Sequence, residues 1–456
     1  MIKVNPSTPL PKGSGLPSTR AIRLSSRKPQ AEGLRVDPFD LLRASSERRS
    51  FPRPNKRRGL GAVERVNIVD GTLREGEQSP GVYFTQEEKI QIARELDRTG
   101  VPILDVGMPS ISDEEREAIY SITQLGLKAS IGVSVRLKKD EIDQAMDCRA
   151  AEVFIICPVS SLHIHSKLGM DAEGVKRLAE DVVSYACKKG LFINLVAEDA
   201  SRADTQFLGD IISHAYHWGA RRAFICDTVG IMDPFKMRAL VKKVRDQIPM
   251  EMALGVHCHN DLGLATANTL AAIEAGVDYP SVTVNGIGER AGNPPLQEII
   301  VALEKIYHRE HGIDMKRLYD LSRLVEQCSG IFIPPHTPIV GLNVFRHESG
   351  VHVDGILKNS KTYTGVDPKE LGRDSSFVLG KHTGTQAIRH LLQQAGYEAN
   401  GEELREILRS VKKSKVAEEK SEISRMAKEI GEYYERYLNF PLETFWKIVR
   451  DVLGKK

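Results

Sequence analysis

His257 and His259 stand one residue apart at the end of an apolar run, in "GVHCHNDLG" over residues 255–263. Successive side chains of a β-strand face opposite ways, so both imidazoles point to one side and Cys258 to the other. A pair so placed either shares one metal ion or is a hydrogen-bonded pair of core histidines, and spacing alone does not choose. A second cluster lies in "DGTLREGEQSPG", residues 70–81, where Asp70, Arg74, Glu75, Glu77 and Gln78 crowd one loop. Hard divalent cations want carboxylate oxygen and imidazole suits Zn, Fe or Mn, so Glu75 with the two histidines makes a mixed donor set. Arg74 beside it could stabilise a developing oxyanion. Taken alone, such a loop is an ordinary solvated turn. In "GIGERAGN", residues 286–293, the glycines carry one residue too many for the dinucleotide-binding GxGxxG turn. Asn293 at its end offers a further oxygen ligand.

The scaffold that must position these groups is written in the alternation of the chain. Short β-branched runs at 66–70, 103–107, 129–135, 152–157, 191–198, 222–227, 254–259 and 281–286 are separated by amphipathic stretches. Strands alternating with helices in one unbroken series predict an α/β fold, a (β/α)8 TIM barrel, with a doubly wound open sheet as the competing arrangement. "TQEEKIQIARELDRTG" reads as one of the helices, with Thr85 as N-cap, Glu88 completing a capping box and Gly100 ending it. Chemistry in a TIM barrel sits at the C-terminal strand ends. Those ends are Asp70, Gly107, Arg136, Pro158, Glu198, Asp227 with Thr228, His257 with His259, and Asn285, most of them polar or conformationally special.

The chain has 456 residues, 41% of them hydrophobic, with six cysteines and a net charge of +3. No apolar run is long enough to cross a bilayer, and no CxxC pair occurs, which predicts a soluble intracellular protein with reduced thiols, cytoplasmic in the simplest case. The first sixty residues hold 14 Lys and Arg against 4 Asp and Glu, with eight of the 22 prolines. That composition cannot offset ordering entropy by burial, so residues 1–60 are expected to be a disordered basic leader. An organelle transit peptide, a start codon assigned too far upstream or a tail that touches anionic partners would each account for it. Nothing reads as nucleic-acid recognition.

"DGTLREGEQSPG", "HCHNDLGLATANTLAAIEAG" and "GIGERAGN", with "HESGVHVDGILKNSKTY" and "GKHTG" beyond the barrel, resemble the DRE-TIM metallolyase superfamily. Within it they are similar to the homocitrate synthase and 2-isopropylmalate synthase family. The resemblance spans roughly residues 64–395. It implies condensation of acetyl-CoA with a 2-oxo acid, then thioester hydrolysis that releases CoA. Glu75, His257 and His259, with Asn293 in or near the shell, then resemble ligands of a divalent cation (Zn, Mn or Mg, with Fe or Co as further candidates). Arg74 would stabilise the alkoxide. His347 would be the catalytic histidine, with Glu198 and Tyr363 as partners in proton transfer. Thr228, Arg136, His163 and Gln78 fall to substrate binding. In the family the segment around His347 lies over a partner's barrel, which implies a homodimer with exchanged C-terminal segments. The expected organisation is a leader to 60, a catalytic barrel over 61–335, a linker subdomain over 336–395 and a helical subdomain over 396–456.

Departures from the family pattern bear on the acceptor. Lysine-pathway homocitrate synthases carry an arginine after the fourth strand for the distal carboxylate of 2-oxoglutarate, whereas this chain has "PVSSLHIHSKLG", with His163, His165 and Lys167. The stretch is closer to nitrogenase-associated homocitrate synthases. Glu75, where isopropylmalate synthases usually have aspartate, favours 2-oxoglutarate as acceptor. The charged helical tail lacks the β-rich leucine-binding domain of full-length isopropylmalate synthases. Oxaloacetate, 2-oxoisovalerate, pyruvate and a phosphonate oxo acid remain alternative acceptors for the same chemistry. A CoA-ester or aldol lyase of the superfamily is the alternative class, disfavoured by the post-barrel motifs, and a degenerate scaffold is disfavoured by the full set of candidate catalytic groups.

Overall fold

The computed structural model describes residues 65–416, 420–437 and 440–453. The expected leader lies outside the described residues. Eight parallel strands form a closed barrel in sequence order. They are β1 (Val69–Asp70), β2 (Ile103–Asp105), β3 (Ser130–Val135), β4 (Glu152–Pro158), β5 (Phe192–Glu198), β6 (Arg222–Asp227), β7 (Ala253–Cys258) and β8 (Tyr279–Val282). Closure is direct, with Val69 paired to Ser281 and Asp70 to Val282. This pairing excludes the open doubly wound sheet. Eight helices alternate with the strands: α1 (Gln86–Thr99), α2 (Asp113–Thr123), α3 (Lys139–Asp147), α4 (Ala172–Lys188), α5 (Thr205–Trp218), α6 (Pro234–Arg245), α7 (Ala265–Glu274) and α8 (Leu296–Ala302).

Local signals account for the elements. Helix α1 starts at the expected capping box, in which the Thr85 side chain accepts from the Glu88 amide and Glu88 reaches back, and ends at Gly100 with φ 98°. Such a cap contributes about 1 kcal/mol. The eighth strand departs from the sequence reading, which placed it over 281–286. The ladder ends at Val282, and Val284–Gly286 form a tight turn with Asn285 at φ 60°. Asn285 does not reach the barrel mouth. Its side chain donates to the Ser322 carbonyl at 2.9 Å, so it ties the turn to helix α9 (Leu318–Ser329).

The barrel interior is packed in layers, as the fold requires. Phe154 and Phe224 meet edge to face, with ring centroids 5.7 Å apart. Glycine on the neighbouring strands makes room for them. A Cβ on Gly132 would lie 2.5 Å from the Phe154 ring, and one on Gly255 would lie 2.4 Å from Phe224. At the opposite end from the mouth, Arg222 donates to Glu152 at 3.0 Å and to Asn194 at 2.6 Å. The aromatic layer thus floors the mouth and separates it from a buried ion pair.

Beyond the barrel, β9 (Arg346–His347) and β10 (Ser376–Phe377) pair in parallel. Helices α10 (Gly350–Lys358), α11 (Thr385–Gln394), α12 (Gly401–Val416), α13 (Ser421–Tyr437) and α14 (Leu442–Leu453) follow. The motifs "HESG" and "GKHTG" meet here: Gly350 donates to the His382 carbonyl at 3.1 Å, and His382 donates to the Glu348 carboxylate at 2.9 Å. A Cβ on Gly350 would lie 2.7 Å from the Gly384 Cα, so this contact needs glycine on both sides. Among the described residues no helix is long and apolar enough to cross a membrane.

Candidate active site

A cavity of about 390 Å³ opens at the C-terminal mouth of the barrel. Each strand, or the residue just after it, contributes to its wall, from Val69 of β1 and Asp105 of β2 round to His257 of β7 and Ser281 of β8. The periodicity of the strands dictates this, since residues two apart share the inward face.

Glu75, His257 and His259 converge as the only group among the described residues suited to hold a metal ion. Their nearest ligand atoms are close: His257 Nε2 lies 3.2 Å from His259 Nε2, and His259 Nε2 lies 3.5 Å from Glu75 Oε1. Two nitrogens each about 2.0–2.2 Å from one ion stand roughly 3.0–3.4 Å apart, so the spacing fits a shared cation. His257 is oriented by its other nitrogen, which is 3.0 Å from Ser281 Oγ across the β7–β8 pairing. Burial holds the His257 imidazole down at about 3 and lowers His259 too, so both are neutral ligands at physiological pH. Burial pushes Glu75 up, but Arg74 and the two histidines outweigh it, and its carboxyl lies below the usual range. Asn293 donates its amide to the Cys258 carbonyl at 3.1 Å, while its Oδ1 is buried with no partner. That oxygen lies beside Gly288, where an added Cβ would come within 2.0 Å of it and 3.4 Å of Glu75 Cγ. The orphaned oxygen, the neutral imidazoles and the ionised carboxylate fit a divalent cation.

Arg74 sits between two carboxylates. Its Nε donates to Asp105 Oδ2 at 2.8 Å and its Nη1 contacts Glu75. Asp105 also accepts from Ser134 Oγ at 2.8 Å. Asp105 was not among the residues picked from sequence, because "ILDVG" was read as a strand running to Gly107; the signal was an acidic residue inside an apolar run. The loop after β1 is stitched to the loop after β8, since Ser79 Oγ donates to the Gly288 carbonyl at 2.8 Å and Thr72 Oγ1 accepts from the Val284 amide at 2.8 Å. Arg290, also unpicked, forks onto Asp261 at 2.8 and 2.9 Å and donates to the Thr228 carbonyl at 2.7 Å.

These contacts and the domain matches decide the family. An HMGL-like family model matches residues 65–325, and a homocitrate synthase post-HMGL domain-like model matches 339–420. The chain belongs to the HMGL-like family. This HMGL-like chain is 42% identical to homocitrate synthase AksA of Methanothermobacter thermautotrophicus, over 88% of its own length and 97% of that protein. It is 43% identical to 2-isopropylmalate synthase 2 of Caldanaerobacter subterraneus subsp. tengcongensis, over 76% of its length and 90% of that protein. Its barrel superposes on the crystal structure of the HMG-CoA lyase of Bacillus subtilis with a TM-score of 0.55, at 17% identity, over 59% of this chain and 96% of that one. The chain is an enzyme, of the acyltransferase type that its synthase relatives represent.

The remaining candidates of this HMGL-like enzyme divide. Gln78, Arg136, Glu198 and Thr228 line the cavity together with Lys167. Arg136 is half exposed and held by Glu141 at 2.6 Å. Lys167 donates to Glu198 Oε1 at 2.6 Å. Thr228 Oγ1 accepts from the Asp199 amide at 2.8 Å. His163 lies behind this wall rather than in it, its ring nitrogens 3.5 Å from Glu198 and 3.6 Å from Asp199. His347 and Tyr363 do not line the chain's own cavity. His347 packs near Phe377, at 6.5 Å between ring centroids, with Nε2 buried and unpartnered, and Tyr363 stacks on His352 at 4.2 Å.

Proposed function

We propose that this enzyme condenses acetyl-CoA with a dicarboxylic 2-oxo acid, foremost 2-oxoglutarate, and hydrolyses the thioester to give homocitrate and free CoA. The observation that carries this reading is the placement of charge across the mouth. The Glu75, His257 and His259 group stands on the β1 and β7 side, while Arg136 and Lys167, each partly exposed, follow β3 and β4 across the barrel. A 2-oxo acid whose carboxylate and ketone lay at the first position would extend its tail toward the two cations, past the apolar walls of Met108, Ile156 and Val196. A second carboxylate suits that end by exchanging with Glu141 and Glu198, which hold Arg136 and Lys167 at 2.6 Å each; a branched alkyl group could make no such exchange.

Glu75, His257 and His259, with Asn293, would hold a divalent cation, which would supply Lewis acidity and a template for the oxo acid. Arg74, held rigid by Asp105, faces the ketone oxygen and stabilises the negative charge it gains. A base removes a methyl proton from acetyl-CoA, the carbanion attacks the ketone carbon, and the oxygen takes up a proton to become the hydroxyl. Water then cleaves the thioester, leaving a carboxylate and the CoA thiol. Glu198 lines the cavity and serves proton transfer with His347 and Tyr363.

Because His347 and Tyr363 lie outside the chain's own cavity, the complete site draws them from a second copy. In that homodimer the segment over 336–395 covers the partner's mouth. An apolar rim supports the docking: Tyr83 is 72%, Ile111 70% and Phe235 86% exposed, on loops or helix starts at the C-terminal side of the barrel. A cytoplasmic setting suits six cysteines that form no disulfide. The test is free-thiol release from acetyl-CoA by purified protein with divalent metal, offered 2-oxoglutarate, oxaloacetate, pyruvate or 2-oxoisovalerate, with product mass confirmed. Preference for 2-oxoglutarate is expected. Preference for 2-oxoisovalerate or pyruvate would overturn the dicarboxylate reading, and no release with any acid would overturn the chemistry.

A further inference from the structure

Lys89 is 1% exposed, a charged side chain sealed in the core. It lies on the inward stripe of α1 with Ile92, Ala93 and Leu96, a position where an apolar residue would ordinarily stand. Its ammonium meets two carboxylates: Glu77 Oε2 at 2.6 Å and Glu115, at the start of α2. Glu77 belongs to the tight turn Gly76–Gln78, which begins directly after Glu75, and its other oxygen accepts from the Phe84 amide at 3.0 Å. Glu115 accepts a hydrogen bond from the backbone of Met108, which lines the cavity directly after Gly107 and three residues beyond Asp105. Room for that carboxylate is made by Gly107, at φ 150°, where a Cβ would lie 1.9 Å from Glu115 Oε1.

We infer that Lys89 is a positioning residue for the metal site, clamping the loop that carries Glu75 to the loop that follows Asp105. This rests on the reading of Glu75, His257 and His259 as metal ligands. An ion pair needed only to fill the core would be served as well by apolar side chains of similar volume. One carboxylate from α2 would also satisfy a buried ammonium. The second comes instead from the short turn that bears the ligand loop, and the contact chain from α2 ends on a cavity residue. Both loops therefore depend on one buried cation for their register over the mouth. Removing that tie loosens Glu75 relative to His257, which is fixed independently by the β7–β8 ladder and Ser281, and to His259, whose amide donates to the Asp227 carbonyl at 3.2 Å.

The experiment measures Zn²⁺ and Mn²⁺ affinity by chelator competition on the purified full chain, with thermal unfolding of each variant in parallel. Glu77→Gln leaves Lys89 its Glu115 partner, and Lys89→Met combined with Glu115→Gln removes a balanced pair, so both are expected to keep near wild-type melting temperatures. Both are expected to bind metal roughly 10- to 100-fold more weakly, the range for groups that orient ligands without touching the ion. His257→Ala is the control and should abolish binding. Folded variants whose affinity stays within about threefold of wild type, below that range, would overturn the role of Lys89 while leaving the ligands standing. A wild-type chain that binds neither ion would overturn the ligand assignment, and this inference with it.

Discussion

Replacing Asp105 by asparagine should slow turnover without weakening the fold. Asp105 Oδ2 is the acceptor for both Arg74 Nε and Ser134 Oγ, each at 2.8 Å, and Oδ1 has no partner. An asparagine can present its oxygen to the same two donors and turn its amide toward the empty side, so the geometry survives and only the charge is lost. A hydrogen bond between two charged groups is roughly twice as strong as a neutral one and contributes about 1.5–3 kcal/mol, so the substitution removes about 1–1.5 kcal/mol of Arg74 restraint. If that restraint acts at the transition state, kcat/KM falls roughly tenfold. Asp105→Ala, which removes the acceptor altogether, should cost roughly 10- to 100-fold by the same arithmetic. Stability moves the other way. Burial pushes the Asp105 carboxyl up against the pull of Arg74, so its ionised form is costly where it stands, and the neutral amide should melt at the same temperature or higher. The assay is thiol release alongside thermal unfolding and metal content. A kcat/KM within about threefold of wild type, or an activity loss that tracks a falling melting temperature, would refute the claim that Asp105 acts through Arg74.

Further outcomes follow from the same geometry. Ser281→Ala frees the His257 ring and should weaken Zn²⁺ binding by roughly tenfold with little change in melting temperature, as isothermal titration and thermal unfolding would show. Gly255→Ala drives a Cβ to 2.4 Å from Phe224 and should destabilise by about 1–3 kcal/mol, read from denaturant midpoints. Acid should release the metal late: burial keeps His257 neutral down to about 3 and lowers His259, so protons do not compete near neutrality. Affinity measured by chelator competition should fall less steeply between about pH 7 and 5.5 than for two unshifted imidazoles, which would lose about a hundredfold per unit below their ordinary pKa. Mixing inactive Glu75→Ala with inactive His347→Ala should restore part of the activity through mixed dimers, and no recovery would count against a site shared between copies.

The barrel was legible because its signal is repetitive: eight β-branched runs separated by amphipathic stretches leave few foldings for the intervening helices. The eighth strand was set two residues late at its start and four at its end because "SVTVNG" keeps a strand-like composition past the point where pairing stops. There the Thr283 amide turns to the Pro294 carbonyl and Leu296 returns to Thr283, so the chain leaves the barrel while its side chains still look strand-like. The Glu75, His257 and His259 set was legible as chemistry, since each sits at a strand end, or in the loop just after one, that a TIM barrel directs to its mouth. Their mutual distances were not, because they depend on closure between β1 and β8, a contact that local pattern does not encode.

Three of the residues that were missed share one physical feature. Asp105, Lys89 and Ser281 are polar groups at positions where the period of the element calls for apolar ones, and each finds its partners on other elements: Arg74 and Ser134, Glu77 with Glu115, and His257. A pattern read for hydrophobic periodicity passes over such residues as imperfections. In "TQEEKIQIARELDRTG" the buried set includes Lys89, Ile92, Ala93 and Leu96 and leaves out the apolar Ile90, a regular i, i+3, i+4, i+7 stripe headed by a charge. An ammonium at the head of a buried stripe is expensive unless paired, so the exception itself predicts a carboxylate partner from a neighbouring element. Counting such exceptions, rather than smoothing over them, would have drawn attention to Lys89 and Asp105 before any coordinates, and with them to the loops that hold Arg74 and Glu75 in place.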